Sequence, residues 1–294
     1  MRTLILLPLI LLLLTACSSA SFVYKRADWF INWAVDDYVS FDREQQTLFD
    51  AALDDWLDWH CSAELPRYGE YLRNLSTALS KDELRINDAS LLGFADRASE
   101  AWIASLSRAL IDASGILESL SDEQLAQFIE ELDSRNKQFQ KEYVALNATE
   151  LEKLRVERVR DAMKRWAGSI DDGQQQLALE WARSSDNIYG LIFNRRLHWR
   201  DRLQEIFSKR PYDNFKADLT ELFLRPELLL TNDERGRLVA SQQSARGLLQ
   251  ALDRSLSKRQ REHLLAELDE IKDDITHLIT SDCGSAQQVN PTPQ

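Results

Sequence analysis

The sequence predicts an all-α fold, a bundle-like array of about nine or ten mostly antiparallel helices with no sheet. Only 9 Gly and 6 Pro interrupt the 294 residues, so few positions favour turns. Apolar residues recur at i, i+3 and i+4, as in Leu125, Phe128, Ile129 and Leu132, which is the period of a helix. Strict alternation never lasts long enough to predict a strand.

The N-terminal residues have the pattern of a bacterial export signal. Arg2 supplies the basic start, and residues 4–14 form an apolar run too short to span a membrane. Leu14-Thr15-Ala16-Cys17 is a lipobox, which predicts cleavage after residues 1–16 and acylation of Cys17. Two or three acyl chains hold a protein stably on a membrane. Residues 17–23 would then be the lipidated N-terminus and a short tether.

The residue after the lipidated cysteine predicts the compartment. An Asp at that position favours retention at the inner membrane in bacterial sorting, so Ser18 predicts the outer membrane, with the chain facing the periplasm. The formal net charge of −12 disfavours nucleic acid as a partner. The expected partners are outer-membrane lipid, through the acylated Cys17, and an unknown envelope protein or glycan.

Six capping boxes predict helix starts. In each, a cap residue is followed three positions later by Glu or Gln, so that the two side chains satisfy each other's backbone amides. The caps are Asp42, Ser80, Ser121, Asn147, Thr231 and Ser257. Their irregular spacing argues against a repeat, and local helix capping explains them. Further helices are expected over 26–39, 88–118, 174–186, 187–208 and 213–224.

One helical domain is expected over residues 24–280, with a possible subdivision near 168–173, where two glycines lie. Pro66 stands inside an otherwise helical stretch and predicts a kink or a break. Residues 281–294 are rich in polar and turn-forming residues and are expected to be a disordered tail.

Two cysteines remain after Cys17. An oxidising compartment would favour a Cys61–Cys283 disulfide, and the two residues would meet if the first and last helices were neighbours. However, Cys61 also continues the apolar stripe of Leu53 and Leu57, where a buried free thiol fits well. Because Cys283 lies in the expected tail, we expect free thiols and keep the disulfide as the alternative.

Aromatic and acidic residues crowd the N-terminal region. Trp29 and Trp33 share a helix face, and an Asp-Asp-Tyr motif and a Trp-His motif follow. Tryptophans at this spacing are typical core anchors, but the cluster is also the best candidate interaction surface. The candidate residues are Trp29, Trp33, Asp36, Asp37, Tyr38, Trp59, His60, Arg67 and Tyr68.

These motifs resemble a family of Gram-negative lipoproteins known as domain of unknown function 6279. The resemblance rests on the lipobox, Tyr-x-x-x-x-Trp, Asp-Asp-Tyr, Trp-His and Glu-Leu-Pro-Arg-Tyr, all within residues 17–68. It implies a helical outer-membrane lipoprotein and supplies no activity and no catalytic residue. Cys61 stands where the family is expected to have a polar or basic residue, so the resemblance does not support the disulfide.

Catalytic residues, cofactors and metal sites are not predicted. Paired carboxylates can hydrolyse glycosides when they converge in a cleft, but most acids between positions 36 and 64 recur as on a solvated helix face. His263 with Glu267, and Asp273 with His277, have ligand spacing, yet two isolated pairs do not close a metal site. We therefore expect a non-enzymatic, lipid-anchored protein that binds or scaffolds an envelope component. The alternatives are a periplasmic chaperone or carrier for an apolar ligand and an enzyme acting on cell-wall glycan.

Basic residues crowd two helices further along the chain. They are Lys153, Arg155, Arg158, Arg160, Lys164 and Arg165 on one, and Arg195, Arg196, Arg200 and Arg202 on the other. We expect these helices to pack near the acidic N-terminal helices and to neutralise them. The alternative is an anionic partner such as a lipid head group or a glycan.

Anchoring is expected to depend on Cys17. The substitution Cys17→Ser should release the protein from the outer-membrane fraction, because no acyl chain could then be attached. Cell fractionation with immunodetection measures this. A processed Cys17→Ser protein that still sediments with the outer membrane would rule out the lipid anchor.

Overall fold

A computed structural model describes residues 24–80 and 88–283. Within these two ranges the chain forms eleven α-helices, three π-helical turns and one 3₁₀ turn, without a strand. The helices are α1 Ala27–Asp36, α2 Arg43–Trp59, α3 Leu65–Ser80, α4 Asp88–Glu118, α5 Asp122–Phe139, α6 Ala148–Ala167, α7 Asp172–Ser184, α8 Tyr189–Ser208, α9 Phe215–Leu224, α10 Asn232–Ser255 and α11 Lys258–Leu278. The π-helical turns are His60–Glu64, Gln140–Val144 and Ile279–Cys283, and the 3₁₀ turn is Pro226–Leu229. The all-α prediction is confirmed, whereas residues 1–23 and 284–294, with the predicted signal, lipobox and most of the tail, lie outside the described ranges.

The capping boxes place most helix starts where the sequence predicts them. Asp42, Ser121, Asn147, Thr231 and Ser257 each accept a hydrogen bond from the N3 amide, and each N3 side chain bonds back to the cap. Asp171 forms a further box with Gln174 that the sequence analysis missed. The helix predicted to start at Ser80 falls on residues 81–87, which lie outside the described ranges, so this start stays a prediction. Ser80 is the last residue of α3, and its hydroxyl donates back to the carbonyl of Thr77 at 3.0 Å.

Pro66 does not split its helix. The π-helical turn His60–Glu64 joins α2 to α3 without a break, and Pro66 is the second residue of α3. Proline removes one amide donor and crowds the preceding turn. A π-helical turn re-registers the backbone hydrogen bonds at that point, so the helix continues in place of the predicted break.

Two pairs of helix starts share a sequence pattern. Residues 40–48 read SFDREQQTL, and residues 169–177 read SIDDGQQQL. Residues 119–124 read SLSDEQ, and residues 255–260 read SLSKRQ. The first pair lies at the starts of α2 and α7, and the second pair lies at the starts of α5 and α11. The chain therefore contains an internal two-fold repeat, which corrects the expectation that capping alone explains the motif.

In both copies of the repeat, two glutamines form a reciprocal pair. Gln45 Nε2 donates to the carbonyl of Ser119 and to Gln124 Oε1, both at 3.1 Å. Gln124 Nε2 donates in return to the carbonyl of Ser40 at 2.8 Å and to Gln45 Oε1 at 2.6 Å. We call this arrangement a glutamine pair.

The second glutamine pair repeats the same four contacts. Gln174 Nε2 donates to the carbonyl of Ser255 at 3.4 Å and to Gln260 Oε1 at 3.0 Å. Gln260 Nε2 donates to the carbonyl of Ser169 at 3.1 Å and to Gln174 Oε1 at 2.9 Å. Gln174 is 0 % exposed and Gln260 4 %, so this polar contact lies in the interior.

We call α2 to α5 the first half of the fold and α7 to α11 the second half, and helices of each half pack on the other. Helix α2 packs on α4 as α7 packs on α10, and α4 also touches α10. Beyond these contacts, α3 packs along α11 of the second half and α8 packs on α5 of the first half. Each half therefore completes the other.

The apolar core lies where α4, α5, α8 and α9 meet. Its most buried side chains are Leu203, Ile206, Phe215 and Leu219, each at most 1 % exposed. A smaller cluster of Met163, Ala167 and Leu252 joins α6, α7 and α10. These cores hold α5 and α8 side by side, which positions the groove described below.

Removing a buried glutamine should destabilise the fold more than removing an exposed one. In Gln174→Leu, the carbonyl of Ser255 loses its contact with the Gln174 amide, and Gln260 loses its two bonds to Gln174 while it keeps those to Ser169 and Ser257. Each buried group left unsatisfied costs about 1–3 kcal/mol. Chemical denaturation should show a loss of that order. The control is Gln176→Leu on the exposed face of the same helix, where a change below about 0.5 kcal/mol is expected. Equal losses in both variants would contradict a structural role for the glutamine pair.

Candidate functional site

The structure distributes the nine candidate residues over three places. Trp59, His60, Arg67 and Tyr68 lie at the π-helical turn between α2 and α3. Asp36, Asp37 and Tyr38 lie at the end of α1 facing α5, and Trp29 and Trp33 lie on α1 itself. Trp29 and Trp33 on α1 are exposed, whereas Trp59, His60 and Tyr68 at the π-helical turn are partly buried, so the candidate residues differ in accessibility.

His60 is the centre of an aromatic cluster at the π-helical turn. Its Nδ1 lies 3.0 Å from the hydroxyl of Tyr24. The ring of Trp56 stacks on it with centroids 4.9 Å apart, and Tyr68 meets it edge-on at 5.5 Å. Trp56 Nε1 donates to the carbonyl of Ser105 at 2.9 Å, which ties the cluster to α4. Tyr24 and Trp56 belong to this site but were not among the predicted residues, although both lie in the aromatic-rich segments.

Burial sets the protonation of this cluster. Desolvation lowers the pKa of His60 from 6.5 to about 4, so the imidazole is neutral in the folded protein at neutral pH. The pKa values of Tyr24 and Tyr68 are raised, chiefly by the same burial. Glu64 is only 2 % exposed. Its Oε1 accepts from Arg67 at 2.8 Å, while its Oε2 has no hydrogen-bond partner within the described ranges.

A disulfide joins Cys61 to Cys283, so the expectation of two free thiols is wrong. The two Cα atoms are 5.5 Å apart, because α3 packs along α11 and the π-helical turns His60–Glu64 and Ile279–Cys283 meet. This last turn extends the final helix three residues into the segment expected to be a tail. The bond spans 222 residues, and the chain-entropy model assigns such a loop about 5 kcal/mol as an upper value.

Asp37 and Tyr38 contact one arginine of α5. Arg135 donates to Asp37 Oδ2 at 3.0 Å and lies over the ring of Tyr38 at 4.8 Å. Tyr38 also packs against Phe128 with centroids 5.5 Å apart, while Asp36 stays exposed. The contacts dock the end of α1 on α5 and use the candidate residues for structure.

The tryptophans of α1 are surface residues. Trp29 and Trp33 are each 57 % exposed, and Phe30 between them is 38 % exposed. Helix α1 contributes no buried residue to the fold. The core-anchor interpretation is therefore wrong for Trp29 and Trp33, whereas Trp56 and Trp59 are partly buried.

A groove of about 910 Å³ lies between α5 and the end of α8. Its floor is apolar and includes Leu125, Ile129 and Phe207, and its rim carries charges of both signs. The lining residues are Asp122, Leu125, Ala126, Ile129, Glu130, Asp133, Ser134, Lys137, Gln204, Phe207, Ser208 and Arg210. The helical period of Leu125 and Ile129 predicts an apolar face of α5 and does not show how much of that face is covered. This face reaches the groove because α8 covers just part of its width.

Two groove carboxylates are held by arginines. Asp122 pairs with Arg210 at 2.9 Å, and Asp133 lies 3.4 Å from Arg200. A glycosidase requires two carboxyl groups that flank a substrate and remain available for proton transfer or attack. Asp122 and Asp133 instead pair with cations of the protein.

The basic helices find their partners away from the acidic N-terminal helices, which corrects that expectation. On α6, Arg155 donates to the carbonyls of Ala182, Ser185 and Asp186 at the end of α7. Arg165 bonds to Glu267 of α11. On α8, the cations turn towards α5 and α9, through Arg196 with Asn136 and Arg202 with Asp218. These cations are part of the packing between helices.

The predicted histidine pairs stay isolated. His263 Nε2 lies 3.4 Å from Glu267 Oε1, but Glu267 is also the partner of Arg165. Over residues 24–80 and 88–283, no three side chains of a metal-ligand type come together. In the same part of the chain, no helix has the length and apolar character needed to cross a membrane.

Comparison with known proteins identifies one family. Residues 37–235 match DUF6279, which is described as a family of unknown function. No curated protein and no solved structure matches the chain. The matched region ends before α11, so it contains the groove and the first glutamine pair but not the complete disulfide.

The stability of the protein should fall in mild acid because of His60. Its pKa is about 4 when folded and 6.5 when unfolded, so the unfolded chain binds a proton first as the pH falls. The stabilisation contributed by the neutral imidazole of His60 is therefore present above pH 6.5 and falls below it. The free energy of unfolding should decrease by about 2 kcal/mol between pH 7 and pH 5. Denaturant titrations should show this loss shrinking in His60→Gln and persisting in His198→Gln, an exposed control. The same pH dependence in both variants would contradict a buried neutral imidazole.

Proposed function

This chain belongs to DUF6279, a family of unknown function, and we propose that it is a lipid-anchored, non-enzymatic outer-membrane protein that binds another envelope protein. The site proposed for that partner is the groove between α5 and α8. The observation that carries the proposal is the combination of an apolar floor with a charged rim along one side of α5.

The lipobox and the disulfide support the location. Residues 14–17 have the pattern that directs acylation of Cys17, and Ser18 favours the outer membrane. Disulfides persist in oxidising compartments and are rare in the cytosol. The Cys61–Cys283 bond therefore agrees with export to the periplasm.

The dimensions of the groove favour a helix of a partner protein. Exposed groove residues recur along α5 from Asp122 through Ala126, Glu130 and Ser134 to Lys137. At 1.5 Å per residue they follow α5 for about 22 Å. An amphipathic helix can bury its apolar face on such a floor. A small apolar ligand would require enclosure of most of its surface, which an open groove with a charged rim does not provide.

Charge on the rim would orient the partner. Glu130 and Lys137 are exposed and make no ion pair within the described ranges. They lie two turns apart along α5, so they present an acidic position and then a basic position to an incoming segment. A partner helix with the opposite order of charges would be favoured, since complementary charges set orientation more than affinity.

A crosslinking experiment with a blocking substitution tests the groove. A photoreactive amino acid at position 134 should form an adduct of defined mass in cells, because Ser134 is exposed and lines the groove. Adding Ala126→Arg should abolish that adduct by placing a long charged side chain over the apolar floor.

The matched control is Ala240→Arg, which changes an exposed alanine of α10. It should leave the adduct intact, and both variants should remain in the membrane fraction. The groove would be refuted as the binding site if a photoreactive amino acid at position 134 gave no more adduct than one at position 240. An adduct that Ala126→Arg leaves unaffected would refute it as well.

A further inference from the structure

Helix α1 presents an aromatic face that no part of the described fold covers. Trp29, Phe30 and Trp33 lie on one side of the helix at i, i+1 and i+4. Their exposed fractions are 57 %, 38 % and 57 %. Trp29 and Phe30 meet edge-on with centroids 4.9 Å apart. Large exposed aromatic groups mark surfaces that contact another phase or another molecule.

Helix α1 is fixed to the rest of the protein through residues outside the aromatic face, and Val35 on its far side packs against the apolar core. Gln46 of α2 donates to Asn32 Oδ1 at 2.9 Å, and the hydroxyl of Tyr24 bonds to His60 at 3.0 Å. Tyr24, the first described residue, is therefore fixed beside the N-terminal end of α1. The aromatic face is held by a rigid helix whose position relative to α2 is set by these contacts.

The length of the preceding chain places this face near the membrane. Cys17 stands seven residues before Tyr24, and seven residues span at most about 25 Å when fully extended. Trp29 follows Tyr24 by five residues, within the first turns of α1. If acyl chains hold Cys17, α1 is the first helix after the anchor and is confined to the neighbourhood of the lipid head groups.

Tryptophan is the side chain best suited to that position. Its ring has a large apolar area and an N–H donor, and it concentrates where hydrocarbon meets water. Arg26 lies three residues before Trp29 and is exposed on the same side of the helix, where it can reach lipid phosphates. The face thus combines apolar rings with a basic residue at the end nearest to Cys17.

We propose that Trp29, Phe30 and Trp33 insert into the head-group region of the membrane that anchors Cys17. This proposal rests on the lipid anchor of the proposed function. It adds a second contact with the membrane, which would set the orientation of the protein on its tether. The occupant of the face is a phospholipid surface, and neither a partner protein nor a second copy of the chain.

Quenching by brominated lipid tests the insertion. The full mature protein, purified from membranes and verified as lipidated by intact mass, is reconstituted into vesicles of phosphatidylcholine with and without brominated chains. Two of the eight tryptophans carry the proposed contact, so up to about a quarter of the intrinsic emission should be quenched. In Trp29→Phe/Trp33→Phe this quenching should disappear, because the emitting rings are gone while the aromatic face is kept.

The matched control is Trp166→Phe, which removes a tryptophan of α6 and should leave the quenching unchanged. A lipidated protein without quenching overturns the insertion alone. Quenching in Trp29→Phe/Trp33→Phe equal to that of the unmodified protein also overturns the insertion. So does a dimer in analytical sedimentation that becomes a monomer in Trp29→Ser/Trp33→Ser, because a second copy would then cover the face. A mature protein without the acyl mass removes the anchor and overturns both proposals.

Discussion

The reciprocal glutamine pairs are the contacts on which the arrangement of the helices depends. Each pair joins two helix starts that are far apart in sequence, Gln45 with Gln124 and Gln174 with Gln260. Each glutamine completes the capping box of its own helix and bonds to the backbone before the other helix. An amide in the interior is stable only when its partners are present. The pairs therefore admit one register between the helices, and a slip of one residue would leave several polar groups unsatisfied.

The exchange of helices between the halves follows from that register. Once the starts of α2 and α5 are joined, the direction of α2 is fixed, and α3 continues α2 through the π-helical turn. Helix α3 therefore extends beyond its own half and packs on α11. In the second half α8 extends in the same way onto α5. These two extensions form the His60 cluster with the disulfide and the groove between α5 and α8. The first brings the His60 cluster and the disulfide together, and the second forms the groove with its apolar floor.

Local features of the fold could be predicted from the sequence, and features that depend on distant partners could not. Five capping boxes start helices as predicted, because a cap and its N3 residue lie within one turn. The box at Ser80 stays a prediction, because its partner Glu83 lies outside the described ranges. The disulfide was left open because only the packing of α3 on α11 brings Cys61 to Cys283. For the candidate site, the residue types predicted an aromatic region. In the structure Trp29 and Trp33 are exposed, whereas Trp59 and His60 are partly buried. Exposure depends on neighbouring helices, which the spacing of residues along the chain does not reveal.

The bond between Cys61 and Cys283 has a consequence for biogenesis. A chain is synthesised from its N-terminus, so α2 and α3 exist long before α11, the surface on which α3 packs. Until the last helix has been added, the inner side of α3 stays uncovered and Cys61 keeps a reactive thiol. Formation of the bond therefore reports that synthesis has passed α11 and Cys283. A truncated product would keep both the thiol and the apolar surface, the two features by which proteases and chaperones distinguish an unfinished chain from a finished one.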